Sequence, residues 1–236
     1  MDRLTRKELK TDKFAAEVGH TVEFLEEHRR NAVIIGAAAI VVLAAVIGIS
    51  YYLKTKRVER QVALREATRI YQAQIGPQQN PLMVFFPTET AKNEAVQKAF
   101  NDIIQKYSGS DEAAIATFYL GTAAADAGKF DEAIKHFQKV MDSADDDYAS
   151  QAALSLAWVY AGQGKNDDAE KILRKLMDKP TTFVSKEQAT IALAKLIGPK
   201  KPDEARKLLE PLRSQRGAVS RAAISVLSEV SPPDKK

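Results

Sequence analysis

Cysteine is absent from this 236-residue chain, which excludes a disulfide framework, thiol chemistry and cysteine metal sites in any compartment. Histidine is scarce: His20, His28 and His136 are the whole supply. The first two precede a long apolar run and the third lies far beyond it, so no metal set or catalytic triad assembles. Gly162-Gln163-Gly164-Lys165 lacks the four-residue gap, the following Ser or Thr and the preceding strand that a phosphate loop needs. Asp145-Asp146-Asp147 lacks calcium-loop ligand spacing and reads as a solvated loop capping the next helix. The chain therefore reads as a non-enzyme without cofactor or metal.

Uncompensated charge is confined to one short segment. Of the formal net charge of +4, Lys54 to Ile75 contributes six basic against two acidic residues, and everything beyond Ile75 balances at 22 against 22. No basic stripe with interleaved aromatics remains for nucleic acid. A basic segment at that place either attracts anionic headgroups, at about 1 kcal/mol per charge near the surface, or is a plain solvated helix.

Charge disappears altogether from Asn31 to Leu53, 23 residues bounded by Arg29-Arg30 and by Lys54, Lys56 and Arg57. As a helix this run is about 34 Å long, enough for a hydrocarbon core of roughly 30 Å. A buried core helix is usually shorter. A cleaved signal peptide has an apolar stretch of about 7 to 15 residues, and here 30 residues precede the run. An uncleaved signal-anchor fits best. Orientation is contested, because three Lys or Arg lie within 20 residues before the run and six after it, which by the positive-inside rule places the C-terminal part in the cytoplasm. Against this, the N-terminal 30 residues carry seven basic and seven acidic side chains and no signal to export them, and long C-terminal domains translocate largely regardless of charge.

Beyond the run, Asp131-Glu132-Ala133 returns as Asp167-Asp168-Ala169 and Asp203-Glu204-Ala205, each 36 residues on. A period of that size marks an array whose units cannot bury their apolar faces alone. Leu120-Gly121 and Leu156-Ala157 stand thirteen residues before the alanines, Gly128 and Gly164 five before, and Phe137, Leu173 and Leu209 four after. Each unit reads as helix, glycine turn, helix. Glycine supplies the positive φ of a helix C-terminal cap, the aspartate favours the start of the second helix, and the small residues mark its closest approach to the first. The third copy, from Ser185 to Leu212, is one residue short in a turn rebuilt as Gly198-Pro199-Lys200-Lys201-Pro202. Glu94 to Tyr107 reads as a further second helix and Ala218 to Glu229 as a closing helix.

The spacing resembles the tetratricopeptide repeat (TPR), with Leu120, Gly121, Gly128, Phe130, Ala133 and Phe137 matching its pattern while the opening Trp is Thr117 and the late Pro is missing. The resemblance implies a groove lined by the first helix of every hairpin. Its positions carry over to Ile115, Phe118 and Thr122, then Gln151, Leu154 and Trp158, then Gln188, Ile191 and Lys195. Trp158 is the sole tryptophan and the residue best suited to anchor a partner, with core packing an equal alternative. A second contact is expected from the insertion Gly76 to Lys92, whose run Leu82, Met83, Phe85 and Phe86 is bracketed by Pro81 and Pro87; it either tucks under the array or meets a partner. Phe14, Val18, Val22 and Leu25 form an amphipathic stripe ahead of the apolar run.

In order and hydropathy the whole chain is similar to the YfgM-type proteins of bacterial inner membranes. The expected fold class is all-α, one N-terminal transmembrane helix followed by a TPR-like α-hairpin solenoid. The domains read as a cytoplasmic amphipathic segment 1–30, a signal-anchor 31–53, a basic juxtamembrane helix 54–75, a repeat domain 76–230 and a disordered tail 231–236. The resemblance implies a single-pass inner-membrane protein with a periplasmic C-terminal domain, docking proteins as an accessory subunit of the Sec translocon that links it to periplasmic chaperones. Alternatives are an envelope or cell-division scaffold, and a cytoplasm-facing regulator that sequesters a signalling protein such as a transcription factor.

Overall fold

The computed structural model describes residues 29–77, 80, 83–215 and 217–230. The stripe from Phe14 to Leu25, the tail 231–236 and Leu82 lie outside the described residues. The described chain is nearly all helix: α1 (Arg29–Tyr71), α2 (Glu89–Lys106), α3 (Asp111–Asp126), α4 (Phe130–Ser143), α5 (Asp146–Gly162), α6 (Asn166–Asp178), α7 (Lys186–Ile197), α8 (Pro202–Arg213) and α9 (Ala218–Val230). Two-residue strands β1 (Gln74–Ile75) and β2 (Phe85–Phe86) pair in parallel between α1 and α2.

The chain divides into two units, Met1–Val58 and Glu59–Lys236. In the first, α1 is long and apolar enough to cross a membrane by length and composition. Its large apolar residues from Val33 to Val58, among them Ile40, Val46 and Leu53, are all exposed. Nothing would stand within 4 Å of a Cβ placed on Gly36 or Gly48.

The second unit opens with the last turns of α1. Ala67 is buried with Val96, Phe100, Ile103, Ala116 and Leu120, and Ala63, Ile70 and Tyr71 pack around them. Polar contacts frame this cluster. Arg60 Nε donates to Glu112 Oε2 at 2.8 Å, where the carboxylate is buried in the first turn of α3 and is favoured by the exposed N–H groups there. Lys106 Nζ and the Tyr107 hydroxyl reach Glu59 Oε1 at 2.8 and 3.0 Å.

Three hairpins follow, α3–α4, α5–α6 and α7–α8. Each first helix starts on a side-chain cap: Ser110, Asp145 and Ser185 accept from the N–H of Ala113, Tyr148 and Gln188 at 3.2, 2.9 and 3.1 Å. The second helices carry Asp131, Asp167 and Asp203 in their first turns instead. All three bury the same i, i+4, i+7 stripe, namely Ala133, Phe137 and Val140, then Ala169, Leu173 and Leu176, then Ala205, Leu209 and Leu212.

The turns explain why the third copy looks different in sequence. Gly128 and Gly164 have φ of +72° and +77°. In both, the glycine N–H bonds back to Ala125 or Ala161 and the next residue's N–H to Ala124 or Tyr160, the paired bonds of a Schellman cap. Gly198 instead stays right-handed at φ −47°, and Lys200 and Lys201 both donate to the Ile197 carbonyl, at 2.9 and 2.8 Å. Pro202 then opens α8, where its missing N–H is harmless. At Gly121 a Cβ would sit 2.8 Å from Phe137 Cε1, so the small residue is imposed by the neighbouring helix.

Candidate partner-binding groove

Among the first helices α3 packs on α5, and α7 packs on the closing helix α9. The second helices α6 and α8 are joined by a long-armed bridge, Arg174 Nη2 to Glu204 Oε1 at 2.6 Å. Arg174 also holds Glu170 at 2.6 Å, and Lys201 holds the same carboxylate at 3.2 Å. The Arg174 guanidinium keeps the Glu170 carboxyl below the usual range against the opposing effect of burial, with Lys201 adding to the lowering.

The outward positions of the first helices form three rungs of unequal exposure. On α3, Ile115 and Thr122 are half-buried, and Phe118 lies with its ring 5.7 Å from that of Phe137. On α5, Gln151 is half-buried, Leu154 is buried in the core and Trp158 is 41% exposed. On α7, Gln188 and Lys195 are exposed while Ile191 packs partly against the core. Leu154 thus belongs to the core, one turn before exposed Trp158 on the same helix. Lys195 borders a cleft with Pro199, Val226 and Glu229.

The closing helix has a place in this series that its sequence hardly announces. Buried Ala223 and Val226 of α9 keep the three-residue spacing found in α7 at both Ala189 and Ala192 and Thr190 and Leu193, and α9 packs on α7 and α8. It stands where a fourth first helix belongs. Its Val230 occupies the space beside Gly198, where a Cβ would meet it. The sequence signal was only the small-residue pair Ala222-Ala223, without the glycine turn and second helix that mark the other units.

The insertion folds back on the chain. Gln74 N–H donates to the Val84 carbonyl at 3.1 Å and Gly76 N–H to that of Phe86 at 2.9 Å. Phe85 and Phe86 are half-buried, whereas Met83 is exposed. Nearby, Tyr71 points its hydroxyl at Asp126 from 3.3 Å; burial, followed by the Asp126 charge, pushes its phenol pKa up. On α4, burial pushes the His136 pKa down, outweighing Glu132. Among the described residues no three His, Asp or Glu side chains are grouped to hold a metal ion.

A contiguous stretch of the chain, residues 28–188, matches the family described as tetratricopeptide repeat-like domain. The chain belongs to that family. The match ends near the start of α7, before the rebuilt turn. The fold is similar to a tetratricopeptide repeat protein from Parabacteroides merdae, with a TM-score of 0.51 and 11% identity over 72% of this chain and 59% of that one. It is similar as well to a protein of nearly identical TPR-like repeats from Podosopora anserina named for the kinesin light chain, with a TM-score of 0.53 and 14% identity over 72% of this chain and 84% of that one. This chain therefore spans about three fifths of the Parabacteroides protein, and identities this low establish the fold alone. No curated protein matches the sequence. Membership in the repeat-like family supports a protein-interaction scaffold with protein partners.

Proposed function

We propose that this protein is a bitopic bacterial inner-membrane scaffold, anchored by residues 31–53, whose repeat domain docks proteins in the periplasm as an accessory subunit of the Sec translocon. The observation that carries the reading is one of order: a helix apolar enough to span a membrane precedes the helical hairpins, and the family match over residues 28–188 takes in both. Tethering confines the scaffold to the membrane plane and raises its effective concentration around a membrane-bound partner. No covalent step is involved. The proposed docking surface is the first-helix face from Ile115 to Lys195 centred on Trp158, with Met83, Phe85 and Phe86 as a second contact. Links to periplasmic chaperones, or to envelope and cell-division machinery, would be made through the same surface.

The excess of Lys and Arg after the apolar run favours a second reading, a cytoplasm-facing array that sequesters a signalling protein. An alkaline phosphatase fusion after Lys236 separates the two. Activity is expected; a well-expressed but inactive fusion overturns the periplasmic assignment. Photocrosslinking from position 158 then tests the groove, and capture from position 85 without capture from 158 moves the docking surface to the insertion.

A further inference from the structure

The loop 180–185 is pinned over the start of α5. Thr182 N–H donates to Asp147 Oδ1 at 2.8 Å, and the Ser150 and Thr181 hydroxyls meet at 2.7 Å. Thr181 N–H donates to the Val184 carbonyl at 2.9 Å, and Val184 N–H returns to the Thr181 hydroxyl at 3.1 Å. Val184 is fully buried and anchors the turn. Phe183 beside it is 42% exposed, its ring edge-on to that of Tyr148 with centroids 5.0 Å apart. An aromatic held this firmly in water loses little freedom when a partner covers it.

The charge around the ring pair has one sign. From Met141 to Gly164 the chain carries four aspartates and no basic residue. Three of them, Asp145, Asp146 and Asp147, stand at the start of α5 and outweigh the roughly half positive charge of a helix amino-terminus. Asp111 opens α3, the helix that packs on α5. Burial, followed by the Tyr119 hydroxyl and the Asp145 and Asp111 carboxylates, pushes the Tyr148 phenol pKa up, so carboxylates of both helices lie within electrostatic reach of the rings. None of these aspartates makes an ion pair among the described residues. Trp158 is ten residues further along α5, about 15 Å on its axis, so this patch is separate from the surface proposed above.

We propose that the exposed pair of Phe183 and Tyr148, with the carboxylates at the starts of α3 and α5, forms a further docking surface, which takes an arginine-bearing segment of a partner protein. A guanidinium seated on an aromatic face is attracted by the ring quadrupole, and its planar fork suits the carboxylates beside it. A neutral segment meets the same rings but leaves the carboxylates unmatched, so charge selects the partner.

Full-length protein in neutral-lipid nanodiscs is titrated with two labelled peptides, identical except for arginine or its neutral isostere citrulline at every third position. The arginine peptide is expected to bind at least tenfold more tightly at low salt, with the ratio shrinking at high salt as exposed charges are screened. Phe183→Ala is expected to weaken it at least fivefold while the melting temperature holds. Asp111→Asn combined with Asp145→Asn, where asparagine still caps a helix, is expected to bring the two peptides together. Equal binding to the parent protein, binding of neither peptide, or a preference that survives both sets of substitutions overturns the proposal. So does a photocrosslinker at position 183 that captures a second copy of this chain. Binding that Phe183→Ala removes while position 158 captures nothing leaves this surface standing and sinks the groove; capture at 158 with no arginine preference sinks this surface alone.

Discussion

Two alanine-rich apolar regions share this chain and behave oppositely. In α1 ahead of Val58, apolar side chains are exposed and glycines stand in open space. In α3, α5 and α7 the same residue types are buried, and Gly121 is so closely faced by Phe137 that no Cβ fits without displacement. Composition alone does not distinguish them. The difference is the presence of an amphipathic second helix 36 residues apart in register, which gives each first helix something to bury against. The α1 run has no such partner among the described residues, and it is long and apolar enough to cross a membrane.

The sharpest break of that comparison is removal of a second-helix anchor. Phe137 is 1% exposed, and Phe137→Ala is expected to cost about 3–5 kcal/mol in the thermal unfolding of the detergent-solubilised protein. Retention of the parent melting temperature would mean that the α3–α4 contact does not hold the array. Next comes a matched pair. Gly121→Val should destabilise by about 1–3 kcal/mol through overpacking, while Gly48→Val leaves the unfolding of the array unchanged; equal effects would erase the distinction between the regions.

A comparable loss is expected at Arg60→Ala, which strands the buried Glu112 carboxylate and should cost about 1–3 kcal/mol. Glu112→Gln combined with it should recover part of that, because no buried charge is then left alone. Gly164→Ala forces an L residue into φ +77° and is expected to cost about 1–2 kcal/mol. Gly198→Ala has no such strain; its cost should appear instead as faster hydrogen exchange in α9, where Val230 must move.

The smallest effect concerns the outer ion pairs. Glu170 has its pKa lowered by Arg174, so its contribution is fully present above the ordinary carboxylate pKa of about 4.3 and is lost as the pH falls through the lower folded value. Because the pairs are partly exposed, Glu170→Gln should cost less than about 1 kcal/mol at neutral pH and flatten the acid limb of stability against pH. An unchanged acid limb would remove Glu170 from the account.

The hairpins were legible because their determinants are local. Side-chain caps at Ser110, Asp145 and Ser185, positive-φ glycines at 128 and 164 and the stripe through Ala133, Phe137 and Val140 each lie within one unit and repeat. What sequence reasoning missed depends on distant packing. The parallel pairing of Gln74–Ile75 with Phe85–Phe86 has no periodic signal across two residues, and helix α2 begins five residues before Glu94, on a Thr88 cap. Among the expected groove positions, spacing puts Leu154 and Trp158 one turn apart on α5, but only the packing around α5 decides that Leu154 is buried while Trp158 is exposed. The relation of α9 to α7 was hidden for the same reason, since a lone closing helix has no second member to reveal its phase.

The twin Schellman turns have a consequence for how the chain can change length. Gly128 and Gly164 sit at equivalent points, each closed by two bonds to its own preceding helix, so excising the 36 residues between them, or copying them, rejoins identical turns and leaves every cap intact. The array is thus a ruler with a removable segment. Gly198 ends that freedom: its turn is of another kind, and Val230 is already seated on it. Lengthening of the array by whole units is open at the first two turns and shut at the third.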